Sequence, residues 1–176
     1  MRHIRVGLVL FVMWAFQVSF FAHIRPFGVA PDLLLVAALV GGIVGGGDFG
    51  ARHGFAAGLL LDLVTTTPLG LSAGIYGLAA FGIGSLARAV DSDDPRVLPV
   101  LIGASSFLAI LVTGFGLAIL GSEQFVEWRL VFIGAIVAIS SIVLAFPVRL
   151  AYQWALTDRL GSSGRARPET SATVLN

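Results

Sequence analysis

Apolar residues gather in six runs, at roughly 6–22, 29–47, 49–66, 69–87, 98–120 and 130–151. About 20 residues at 1.5 Å rise cross a hydrocarbon core, so each run is sized for one membrane helix. The pattern predicts an all-α, polytopic membrane domain over residues 1–160. The stretch 161–176, rich in Ser, Thr, Gly and Arg, is expected to be a short disordered cytoplasmic tail. Run one follows Arg2 and Arg5 as a signal peptide would, yet no small-x-small cleavage site precedes His23-Ile24-Arg25-Pro26, so it is expected to stay as a helix.

The second and third runs are separated only by Gly45-Gly46-Gly47-Asp48-Phe49-Gly50. One helix over 31–64 would extend on the order of 50 Å, too long for one crossing, so a tight turn is expected near Asp48. Thr67-Pro68 and Asp94-Pro95 each put a capping residue before a proline, which predicts helix starts there.

Composition agrees with a membrane protein: 57% of residues are hydrophobic, 12% are charged, and mean hydropathy is +0.94. Cysteine is absent, which excludes disulfides, thiolate metal sites and thiol nucleophiles. All eleven basic residues are arginine. They stand singly between apolar segments, unlike the clustered basic face of a nucleic-acid-binding protein. With six spans and the N-terminus inside, Arg2, Arg5, Arg52, Arg88, Arg96, Arg149, Arg159, Arg165 and Arg167 lie on the inner side and only Arg25 and Arg129 outside. That bias predicts a multi-pass membrane protein with both termini cytoplasmic.

Two carboxylates, Asp32 and Asp62, sit against membrane-grade runs, where an ionisable group is expensive and needs a reason. Asp32 falls in the first turn of the second helix, where the macrodipole favours it. Asp62 falls at the end of the third, where the dipole opposes it, so compensation is expected from Arg25, Arg129 or free N–H groups near Thr67 to Gly70. Both readings of the pair stay open here, a structural hydrogen bond or a partner- or ligand-binding role. Gly42, Gly46, Gly50, Gly54 and Gly58 form a four-residue repeat that predicts close helix packing, inside the bundle or against a partner's helix; Gly70-x-x-x-Gly74 and Ala15-x-x-x-Ser19 are of the same kind.

Other chemistry fails on context. The G-x-G-x-x-G over 45–50 lacks the strand of a dinucleotide fold. Its G-x-G-D matches intramembrane aspartyl proteases, but their Tyr-Asp pair and Pro-Ala-Leu motif are missing, leaving this a remote alternative. No histidine is placed to serve a serine nucleophile, and Asp91-Ser92-Asp93-Asp94 lacks the glycine and glutamate of a calcium loop. No catalytic, cofactor or metal site is predicted.

Pro31-Asp32-Leu33-Leu34-Leu35, Gly54-Phe55-x-x-Gly58-Leu59-Leu60-Leu61-Asp62, Leu69-Gly70 and Tyr76 together resemble the signature of the bacterial rod shape-determining protein MreD family. The resemblance covers roughly residues 5–155 in span layout, and its specific part is 31–76. It implies a non-enzymatic scaffold of the cell-elongation complex, supporting cell shape and peptidoglycan synthesis. Its implied partners are an MreC-like protein and, through the complex, MreB, RodA and a class B penicillin-binding protein, with membrane lipids around it. The family is also similar in fold to the substrate-capture (S) components of energy-coupling factor transporters, which supplies an alternative function of another class.

Overall fold

From Leu33 to Gly42 no residue has a polar side chain, and in the computed structural model all ten are buried. A helix apolar on every side belongs in the interior, and this one is the axis around which the others stand. The structure describes residues 2–21, 29–65, 67–89, 97–119 and 128–156, and among these there are six helices and no strand. They are α1 (Arg2–Phe16), α2 (Leu33–Gly45), α3 (Gly47–Asp62), α4 (Leu71–Ala89), α5 (Val97–Ile119) and α6 (Trp128–Leu156). A π-helical turn, Gln17–Phe21, follows α1. Each apolar run thus contributes one helix. Arg25, Asp94-Pro95, the acidic 91–94 segment and the 161–176 tail lie outside the described residues.

Two helices, Val97–Ile119 and Arg129–Leu156, are long and apolar enough to cross a membrane. By contrast α2, with 13 residues, and α3, with 16, reach only about 20 and 24 Å. Burial explains how α2 can be short, because protein rather than lipid surrounds it.

The turn falls at Gly46, two residues before the expected Asp48. Gly46 has φ +86°, a backbone region that strains side-chain-bearing residues, and its N–H donates to the Gly42 carbonyl to finish α2. A Cβ there would also strike the Arg88 guanidinium. Asp48 instead lies in the first turn of α3, where a carboxylate suits the dipole. The turn divides the glycine repeat between α2 and α3.

The repeat nevertheless packs on one helix. A Cβ on Gly58, Gly54 or Gly50 would come within 2.3, 2.4 and 2.6 Å of the carbonyl oxygens of Ser72, Tyr76 and Ala80, and one on Gly42 within 2.3 Å of the Ala80 oxygen. Glycines one turn apart on α3 therefore meet carbonyls one turn apart on α4, in antiparallel register. This face is closed inside the protein and is not open to a partner's helix. Gly70 needs correction as a packing residue: a Cβ there meets nothing within 4 Å, and glycine is needed because φ is +97°. The same open space surrounds Gly74, so the Gly70-x-x-x-Gly74 pair closes no helix contact.

The bundle has two distinct ends. Arg5 lies over the Trp154 ring at 5.6 Å, bringing the start of α1 to the end of α6. Arg88 Nη2 donates to the Gly45 carbonyl at 3.3 Å, placing a cation at the α2 C-terminus. Asp32 and Asp62 occupy the opposite end.

Candidate functional site

Asp32 has extended backbone angles and precedes α2, and its Oδ1 accepts the Leu35 N–H at 2.9 Å. This is the geometry of an N-cap, satisfying one of the amides a helix start leaves free. Gln17 completes the cap from α1's π-turn: its Oε1 accepts the Leu33 N–H at 2.8 Å and its Nε2 donates to the Pro31 carbonyl at 3.1 Å. The remaining Asp32 oxygen, Oδ2, accepts the hydroxyl of Tyr76 on α4.

Asp62 is 3% exposed at the end of α3 and serves α4 in a similar way. The residue before α4 is Gly70, which has no side chain with which to cap. Asp62 reaches across, with Oδ2 accepting the N–H groups of Gly70 at 2.8 Å and Ala73 at 3.3 Å and Oδ1 accepting the Thr67 hydroxyl at 3.0 Å. Among the compensators open in the sequence, the amides at the start of α4 are the ones in contact. Arg129 is exposed in the first turn of α6, and among the described residues no hydrogen bond or ion pair joins it to either carboxylate. Because Thr67 serves Asp62, Thr67-Pro68 does not begin a helix; α4 starts at Leu71, after a turn closed by Leu71 N–H on the Pro68 carbonyl at 3.1 Å.

The two carboxylates thus converge on one face of α4, Asp62 through Ala73 and Asp32 through Tyr76 one turn further on. Helices α2, α3 and α4 are locked by charge-assisted hydrogen bonds at one end and by glycine-to-carbonyl contact along their length. Asp48 of the G-x-G-D match is exposed and lies about 21 Å along α3 from Asp62, so it forms no carboxylate pair with Asp62.

Three further polar contacts escape sequence reasoning. Trp14 Nε1 donates to the Leu60 carbonyl at 3.1 Å, one of those left free in the last turn of α3. Gln17, an amide inside an apolar run, carries the signal that could have exposed it. Buried His53 hydrogen-bonds the hydroxyl of Tyr152, which is fully buried on α6, and stacks on Phe49 with centroids 5.3 Å apart.

A helical bundle with an apolar axis, two carboxylates tied to helix starts and hydrophobic outer faces has the character of an integral membrane protein. The model of the rod shape-determining protein MreD family matches residues 1–155, and the chain belongs to that family. It is therefore a membrane protein of rod-shape determination. Neither the curated proteins nor the solved structures yielded a match.

Proposed function

We propose that the protein is a non-catalytic scaffold subunit of the cell-elongation complex, with six membrane passages and both termini cytoplasmic, that binds an MreC-like partner and thereby supports peptidoglycan synthesis. MreB, RodA and a class B penicillin-binding protein are reached through that complex. One observation carries the reading: the oxygens of Asp32 and Asp62 are occupied in holding helix starts, which makes the α2–α4 unit a rigid block, not a reaction centre. The outer faces of the helices around it expose large apolar side chains, among them Leu8, Phe11, Leu78, Phe115 and Val143. Lipid gives such faces no hydrophobic reason to associate, so shape and small-residue contacts select the partner.

Substrate capture of the energy-coupling factor type, with its related fold, needs polar groups free to meet a small molecule. Here Asp32, Asp62 and Tyr76 direct their oxygens at one another's helices.

The test is affinity purification of the tagged protein from native membranes, with shape scored in a depletion strain. Recovery of an MreC-like protein and restored rod growth are expected. Recovery of a transporter ATPase module instead would replace the scaffold with substrate capture.

A further inference from the structure

At the end away from Asp32 and Asp62, a cavity of about 200 Å³ opens between α2, α5 and α6. Val40 and Ile43 of α2, Pro99 and Ile102 of α5, and Ala145 and Phe146 of α6 supply hydrocarbon walls. Phe146 is 73% exposed, so the cavity opens sideways onto the face that meets lipid. Arg149 is the one charged residue of the lining, and it is exposed. Among the described residues it has neither a hydrogen bond nor an ion pair.

Arg149 stands 21 residues after the start of α6, roughly 32 Å along it and so about one hydrocarbon thickness from the helix's other end. A cation at that boundary is stabilised by extending its alkyl stem into the interface and by finding an anion there. The walls demand hydrocarbon and the rim demands negative charge. A guanidinium pairs with phosphate through two parallel N–H donors, which adds geometric selection to the charge. A helix, about 10 Å across, is too wide for this space, whereas an alkyl chain is not.

We propose that the cavity is a binding site for an anionic membrane phospholipid, one acyl chain lying between α2, α5 and α6 and the phosphate on Arg149. A second apolar groove, between α4 and α5 and lined by Leu78, Gly82, Leu86, Ser105 and Leu108 among others, carries no charged residue and serves as an internal control.

The test uses the full chain in phosphatidylcholine vesicles containing a minority of phosphatidylglycerol, with either lipid bearing the same photoreactive acyl chain. Peptide mass spectrometry reads the adducts. Adducts at Ile142 to Phe146 are expected, with phosphatidylglycerol favoured about fivefold there, the effect of roughly one interfacial arginine, and no preference in the α4–α5 groove. Arg149→Gln should abolish the preference, Arg149→Lys should keep most of it, and Arg52→Gln, at the same end but outside the cavity, should leave it intact. Equal loss in Arg149→Gln and Arg52→Gln would reduce the effect to general surface charge and overturn the site. So would an unselective wild-type protein, or, in native membranes, protein instead of lipid cross-linked to a photoreactive residue at Phe146.

Discussion

The Tyr76 hydroxyl donates to Oδ2 of Asp32, tying the second turn of α4 to the residue that caps α2. A hydrogen bond to a charged acceptor contributes more than a neutral one, about 1.5–3 kcal/mol. Tyr76→Phe and Asp32→Ala should each lower unfolding free energy in mixed micelles, and the double variant should lose less than the sum by at least about 1 kcal/mol. Additivity within about 0.5 kcal/mol would show that the two side chains do not support each other.

Asp62 invites a graded series. Asparagine can turn its single oxygen to Gly70 and Ala73 and its amide to the Thr67 hydroxyl, keeping every contact while removing the charge. Asp62→Asn should therefore cost under about 1 kcal/mol, while Asp62→Leu strands the Gly70 and Ala73 N–H groups and should cost about 3 kcal/mol or more. Complementation of a depletion strain separates structure from charge: an Asn variant that is stable but fails to restore rod growth would give the carboxylate a role beyond holding α4.

Some glycines sit against the α4 backbone, and others have open space where a Cβ would go. Gly54→Ala and Gly58→Ala press a methyl group into backbone carbonyls and should destabilise by about 1–3 kcal/mol. Gly82, whose Cβ would meet nothing within 4 Å, should gain up to about 1 kcal/mol as alanine from better helix propensity. Equal thermal shifts for the two classes would contradict the packing described.

What could be read from the chain was governed by range. Six apolar runs produced six helices because burial and span length act locally, and the glycine break between α2 and α3 was visible for the same reason. Asp32 as a helix-start residue was equally legible. Its bond to Tyr76 was not, since that depends on the relative rotation of two helices. Thr67-Pro68 misled because the capping group came from Asp62 on another helix. Gly70 misled because small-residue spacing does not distinguish an open helix face from a closed one, or either from a turn that requires positive φ. His53, directly after Gly50-Ala51-Arg52 near the polar start of α3, gave no sign of a partner on α6.

Orientation is testable by labelling, since the chain has no native cysteine. Arg5, Arg52, Arg88 and Arg149 lie at the end that the basic-residue bias places inside, and exposed Leu69 lies at the other. An impermeant thiol reagent should label Leu69→Cys in intact cells and reach Asp48→Cys and Ser163→Cys only after the membrane is opened. Labelling of Ser163→Cys from outside would remove the six-span arrangement.

The His53–Tyr152 pair joins α3 to α6 through the interior, and its energetics should be asymmetric. Tyr152→Phe keeps the ring, whose centroid lies 5.1 Å from that of His53, but leaves an imidazole nitrogen without its partner in a buried site. The expected loss is about 1–3 kcal/mol, the cost of leaving a buried polar group unsatisfied. Replacing both partners by apolar groups of similar shape removes the stranded nitrogen as well, so His53→Leu combined with Tyr152→Phe should recover part of that loss. Gly41 limits the choice of replacement, because its backbone lies against the imidazole edge and leaves no room for a larger ring. A double variant no more stable than Tyr152→Phe alone would mean that His53 contributes through its stacking on Phe49 rather than through its hydrogen bond.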